Sequence, residues 1–164
     1  MRILIAADHA GFDLKEMLAE RARDTGHDVA DLGPSNRDAV DYPDFAHDLA
    51  RRLLAGEGDL GVLVCGTGIG MAMAANRHKG VRAAQCHDAF TAEYARRHNN
   101  ANVLCVGSRT TGPGVAVQIL DIFLATPFEG GRHERRVSKI ETEQEAGRRA
   151  QGTGPSTPDK EQDP

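Results

Sequence analysis

Between Leu60 and Asn76 an uncharged, β-branched run breaks into a turn built on alternate glycines and then becomes helical. Leu60-Gly-Val-Leu-Val64 has no polar face, the pattern of a strand covered on both sides and hence of the interior of a parallel sheet. Gly66, Gly68 and Gly70 alternate with Thr67 and Ile69. The backbone there can turn sharply, approach a ligand closely and aim several N–H groups at one point. Met71 to Ala75 favours a helix, whose positive end then faces the turn. Cys65 stands at the break. A thiol in that place is either a reactive group whose thiolate the helix end favours or a buried structural cysteine, and the turn is either an anion cradle or an ordinary strand-to-helix connection. The spacing does not complete GxGxxG, because Met71 holds the last position.

The rest of the chain repeats this strand–helix unit. Arg2 to Ala7 reads as a strand, Phe12 to Arg23 as a helix closed by Thr25-Gly26, and His27 to Leu32 as a second strand closed by Gly33-Pro34. Pro43 opens a helix with Phe45, Ala46, Leu49, Leu53 and Leu54 on one face, ended by Ala55 to Gly58. Val81 to Cys86 and Ala89 to Arg97 form the fourth strand and helix; Val103 to Gly107 and the run from Pro113 to Leu124 form the fifth. Parallel strands need an intervening crossover, so this order predicts an α/β fold: a three-layer α-β-α sandwich, Rossmann-like, on a five-stranded parallel sheet. Ligands in such sheets sit beyond the carboxyl ends of the strands, near the point where strand order reverses. Asp8-His9, Cys65 to Gly70, His87 and Gly107 to Arg109 all follow strand ends and are expected on that edge.

After Pro127 a glycine hinge leads into a basic helix carrying Arg132 and Arg136 one turn apart. A five-unit sandwich offers that helix no obvious slot, so it is expected to pack on a partner subunit. Residues 1–147 then form a single domain, and residues 148–164, polar and without apolar period, a disordered tail.

A chain of 164 residues with 40% hydrophobic content suits one core, and a net charge of −4 gives no general attraction to nucleic acid or an anionic membrane. Three cysteines without CxxC pairing favour reduced thiols, and neither a signal peptide nor a membrane span is read, which points to the cytoplasm. Asp8-His9 is either a polar pair at a ligand or a helix-capping loop. His98-Asn99-Asn100 is either an imidazole and amides at a site or a helix cap; a histidine suits acid–base work on a sugar ring. Arg109, Arg132 and Arg136 offer planar forks for phosphate or form a solvated basic face. His27, His47, His78, His133, Cys86 and Cys105 show no pattern and read as structural or surface residues.

In order, Ala7-Asp-His-Ala-Gly11, Asp41-Tyr-Pro43, Cys65-Gly-Thr-Gly-Ile-Gly70 with Ala74-Ala-Asn76, Arg97-His-Asn-Asn100, Ala101-Asn-Val-Leu104, Gly107-Ser-Arg109 and Phe128-Glu-Gly-Gly-Arg-His133 resemble the type B ribose-5-phosphate isomerase family, which also contains sugar-6-phosphate isomerases. The resemblance implies interconversion of ribose 5-phosphate and ribulose 5-phosphate through an enediolate, in the pentose phosphate pathway, with no metal or organic cofactor. It implies Cys65 as the base between C1 and C2, supported by Thr67, and His98 as the acid that opens the furanose ring. Backbone N–H groups of Gly66, Thr67, Gly68, Ile69 and Gly70 would hold the enediolate oxygens, Asp8 and Asn99 the sugar hydroxyls, and Tyr42 would flank the sugar. His9, Arg109, Arg132 and Arg136 would hold the phosphate. It implies a homodimer or dimer of dimers whose site is shared between subunits. One branch of the family uses a glutamate where this chain has Met71, so Cys65 is the expected base here. Allose 6-phosphate or galactose 6-phosphate as substrate, a non-catalytic sugar-phosphate-binding module, and redox sensing through Cys65 are the alternatives.

Overall fold

The computed structural model describes residues 1–141; the tail expected over residues 148–164 lies outside them. The elements are β1 (Arg2–Ala7), α1 (Phe12–Asp24), β2 (Asp28–Asp31), α2 (Tyr42–Leu54), β3 (Leu60–Cys65), α3 (Ile69–Ala75), β4 (Ala83–Gln85), α4 (Ala89–Asn99), β5 (Val103–Gly107), α5 (Pro113–Ala125) and α6 (Arg132–Val137). The five strands form one sheet in the order β2-β1-β3-β5-β4, every pair parallel. β3 and β5, the runs without polar residues, lie in the middle and are buried along their whole length.

The two faces of the sheet are covered separately, as the lack of strand polarity demands. On one face Leu14, Leu18 and Ala22 of α1, Ala92 and Ala95 of α4, and Ile119, Leu120 and Phe123 of α5 pack on Ile3, Ile5, Val62, Val64 and Leu104. On the other, Ala46, Leu49 and Leu53 of α2 and Met71, Ala74 and Ala75 of α3 pack on Leu4, Ala6, Leu63, Val103 and Cys105. This is the three-layer sandwich read from the sequence. Phe123 is fully buried, and truncating such a ring to alanine typically costs about 3–5 kcal/mol.

Element ends differ from the sequence reading where backbone geometry decides them. α3 begins at Ile69, two residues earlier, because Gly68 takes a left-handed φ of 79° and completes the turn there. α4 runs on through His98 and Asn99 and stops at Asn100, which adopts φ 47° as the C-cap; the ending expected at Arg97 is thereby corrected. β4 shrinks to Ala83–Gln85 because Arg82 N–H donates to the Asn102 side chain rather than to a strand. α6 docks on α4 of its own chain, so the sandwich does offer this helix a seat, at the end of α4.

A lysine is built into the first layer. Lys15, fully buried on α1, donates to Asp31 at 2.6 Å and to the Pro34 carbonyl at 3.0 Å, and lies 2.7 Å from Glu16. It ties α1 to the end of β2 and to the loop that leads toward α2.

Candidate active site

Chain direction diverges between β1 and β3: the connection from β1 leads outward to β2 on one side, and β3 leads to β4 and β5 on the other. The carboxyl ends of β1 and β3 are where such a fold places its ligand crevice. Asp8 and Cys65 stand at its two sides, joined through Asp8 N–H donating to the Val64 carbonyl at 3.1 Å. Cys65 is 5% exposed, and Gly68 N–H donates to its Sγ at 3.1 Å. That backbone N–H, at the start of α3, is a hydrogen-bond donor aimed at the sulfur. The left-handed Gly68 makes that aim possible, since a Cβ in its place would meet Val106 and Gly107 backbone at 3.1 and 3.3 Å.

The turn is held from both sides. Ser108 N–H donates to the Cys65 carbonyl at 2.8 Å, Arg109 N–H to the Gly66 carbonyl at 3.0 Å, and Gln85 Nε2 to the Thr67 carbonyl at 2.5 Å. Thr67 Oγ1 accepts from Ile69 N–H at 3.4 Å, and Thr67 and Ile69 are exposed. The Arg109 side chain lies over Gly66 at ordinary contact distance, and the Tyr42 ring lies over Gly70 so near that the absence of a side chain there is what admits it. Asp8 is buried and accepts from Gly11 N–H at 2.9 Å, so it caps its own turn while standing at the crevice. His9 is exposed, and its Nδ1 accepts from Val40 N–H at 3.3 Å. That bond places the ring proton of neutral His9 on Nε2, as a donor.

His98, Asn99, Arg132 and Arg136 gather elsewhere. α4 runs antiparallel to the strands and delivers its last turn to the start of β5, whereas Cys65 pairs with Gly107 at the end of β5. The length of β5, roughly 13 Å at ~3.3 Å per residue, separates the two levels. Within one chain the structure therefore brings Asp8, His9, Tyr42, Cys65 to Gly70 and Arg109 together at one edge, and His98, Asn99 and α6 at the other. A cleft of about 530 Å³ lies at that amino edge, lined by Asn76, Arg77, His78, Arg82, Asn99 and Glu141 among others; of the expected site it holds Asn99.

Sequence reasoning missed two residues in the second group. His133, set aside as patternless, is 3% exposed and stacks on His98 with ring centroids 4.0 Å apart and planes 11° from parallel. Glu129 Oε2 lies 3.4 Å from His98 Nε2 and 3.5 Å from Arg97. Left-handed Gly130 and Gly131, with φ 68° and 56°, fold the chain back between Glu129 and His133, and no periodic signal crosses such a turn. His98, Glu129 and His133 present their ligand atoms within 4.8 Å of one another. Nearly parallel imidazoles cannot converge their in-plane lone pairs on one ion, and Arg132 Nε–H already donates to His133 Nε2 at 3.2 Å. The group is not arranged to hold a metal.

The chain is similar along most of its length to known proteins. The family model described as Ribose/Galactose Isomerase matches residues 3–140. The chain is 40% identical over 139 residues to ribose-5-phosphate isomerase B of Escherichia coli, covering 85% of this chain and 93% of that protein. The crystal structure of a ribose 5-phosphate isomerase from Thermotoga maritima superposes with a TM-score of 0.83 at 48% identity, over 85% of this chain and 97% of that one. The ribose-5-phosphate isomerase B of Clostridium thermocellum gives 0.85 at 42% identity, over 86% and 95%. With the match running from β1 to the end of α6, and with the strand, turn and helix around Cys65 inside it, the chain belongs to the ribose/galactose isomerase family.

Proposed function

We propose that this protein interconverts D-ribose 5-phosphate and D-ribulose 5-phosphate through a cis-enediolate. The observation that carries the reading is the seat of Cys65, a buried thiol that receives Gly68 N–H at the mouth of the strand-order reversal. In this reading the Cys65 thiolate takes the proton from C2 of the open-chain aldehyde, and the electron pair moves to form the enediolate. The same sulfur returns the proton to C1 while the hydroxyl proton on O2 passes to O1 and the ketone forms at C2, so no redox partner is needed. The N–H groups from Gly66 to Gly70 hold the developing oxygen charge; one such donor commonly contributes 10²–10³ in rate, an order-of-magnitude guide. Thr67 supports the sulfur, Asp8 binds a sugar hydroxyl, Tyr42 flanks the sugar, and His9 and Arg109 hold phosphate.

His98 supplies the proton that opens the furanose ring, Asn99 binds a hydroxyl, and Arg132 and Arg136 complete the phosphate site. The sheet stands between these residues and Cys65 within a single chain, so the reading takes them from a second copy. An isologous dimer brings the amino edge of each chain to the carboxyl edge of the other and makes two equal sites. No helix among the described residues is long and apolar enough to cross a membrane, and Cys65, Cys86 and Cys105 are free thiols, which supports action in the cytoplasm.

The test is turnover of ribose 5-phosphate by the wild-type protein and Cys65→Ala, with allose 6-phosphate and galactose 6-phosphate alongside. Activity on ribose 5-phosphate that vanishes in the variant is expected. Preference for a six-carbon sugar would keep the chemistry and change the substrate; no turnover by the folded wild type would make the protein a binding module. Mixing Cys65→Ala with His98→Asn tests the shared site. Random assortment makes half the dimers mixed, each with one intact site of two, so roughly a quarter of wild-type activity should return.

A further inference from the structure

His98 is held on three sides. His133 stacks on one face at 4.0 Å, Tyr94 meets it edge-on at 4.6 Å with planes 90° apart, and the Glu129 carboxylate stands 3.4 Å from Nε2. Tyr94 is one turn earlier on α4, so its contact follows from helix spacing. His133 and Glu129 come from the far side of the Gly130-Gly131 fold-back, and Glu129 N–H donates to the Arg97 carbonyl at 3.0 Å, which clamps that segment to the end of α4. α6 is six residues long and its other side chains are largely exposed, yet His133 is 3% exposed. A short basic helix has buried one polar side chain, and that side chain covers His98.

The protonation pattern fits an acid on the other side of the stack. Arg132 Nε–H donates to His133 Nε2, which makes that nitrogen the acceptor and leaves the ring proton on Nδ1. Burial, together with the neighbouring His98, pushes His133 below the ordinary histidine range. A neutral His133 ring stacks on His98 without charge repulsion, while the Glu129 carboxylate stands beside His98 Nε2 and Arg97 in turn holds Glu129.

We propose that His133 and Glu129 are positioning residues that hold the His98 imidazole in the one orientation from which it delivers a proton to the ring oxygen of the sugar. The proposal rests on the reading of His98 as the ring-opening acid. His133 and Glu129 touch no reacting atom; they fix the plane and the edge of the ring that does.

The two steps of the reaction can be read separately. Ribulose 5-phosphate is acyclic, so exchange of its C1 hydrogen for deuterium in D₂O needs the Cys65 chemistry and no ring opening. Isomerisation of ribose 5-phosphate needs both. In His133→Leu the turnover of ribose 5-phosphate should fall roughly tenfold or more while C1 exchange stays within about twofold, since a displaced general acid forfeits part of a contribution of order 10²–10⁴. His133→Phe, which keeps a flat ring over His98, should restore turnover to within about threefold of wild type, the scale of an aromatic contact. Glu129→Gln should shift the ratio of turnover to exchange in the same direction as His133→Leu. Loss of turnover and exchange together in His133→Leu, or no loss of either, would overturn the proposal, as would a Phe variant no better than Leu. His98→Asn, run in parallel, must itself lose turnover and keep exchange. If His98→Asn does not separate the two, the reading of His98 falls; if it does and His133→Leu does not, only the positioning role falls.

Discussion

Gly68→Ala isolates what the turn after β3 contributes. Two effects act on the fold. At φ 79° a side chain enters the left-handed region, which for an L residue costs roughly 1–2 kcal/mol. The added Cβ also meets Val106 C at 3.1 Å, Gln85 Cγ at 3.2 Å and Gly107 N at 3.3 Å. Two of those atoms are backbone of the central strand β5 and cannot rotate aside, so crowding adds about 1–3 kcal/mol. Gly26, at the end of α1, is the control: its φ is 84°, and a Cβ there meets nothing within 4 Å. Gly26→Ala should therefore lose only the left-handed penalty, while Gly68→Ala should lose about twice as much or more. For a chain of this size each kcal/mol corresponds to about 2–4 °C in Tm, so the two variants are separable by calorimetry and by urea midpoints at unchanged slope. Activity divides them more sharply. Gly26→Ala should keep wild-type kcat on ribose 5-phosphate, whereas in Gly68→Ala the N–H that donates to Cys65 Sγ is displaced and kcat should fall roughly 10²-fold, by analogy with the loss of one preorganised donor. Equal stability losses in the two variants, or a wild-type kcat in Gly68→Ala, would refute the account of the turn.

Three further outcomes are expected. Asp31→Leu should cost about 2 kcal/mol and Lys15→Met about 1 kcal/mol in urea unfolding, because the first leaves an ammonium whose side chain is 1% exposed with only Glu16 and the Pro34 carbonyl as partners, and the second leaves a carboxylate at 29% that water can reach. Arg132→Ala and Arg136→Ala should each raise KM for ribose 5-phosphate by about 10- to 100-fold in initial-rate assays, the scale of a charge-assisted hydrogen bond; an unchanged KM would remove that arginine from the phosphate site. Burial, then His47 and Arg51, holds His78 below its ordinary value of 6.5. The unfolded chain thus binds more protons just below pH 6.5, and stability should fall as pH drops through that window. His78→Asn should flatten the fall, measured as the urea midpoint between pH 7.5 and 5.5.

The β-α order and the Cys65 turn were legible because each is written in contiguous residues: a strand without polar positions, a glycine at each sharp bend, a helix after it. Sheet order was not legible, since β5 inserting between β3 and β4 is decided by which faces pack, and no local pattern encodes that. The end of α4 turned on one backbone angle, at Asn100. His133 escaped for a different reason. Its partner His98 lies far back in the chain, and the Gly130-Gly131 fold-back that joins them erases the helical phase from which neighbours are read. Arg132 and Arg136 were correctly placed on one short helix, but the separation of that helix from Cys65 emerges only once α4 is seen to end at the start of β5.

The sheet that parts the Cys65 turn from the His98 cluster also parts them as targets of mutation. A gene that duplicates yields two copies, each with a thiol edge and an imidazole edge that fold independently of one another's chemistry. If sites form only between copies, one copy can lose its cysteine and the other its histidine, and the pair still turns over substrate at half the number of sites. Neither copy then works alone. An obligate two-gene enzyme can arise from this fold by loss alone, without a single gain of function.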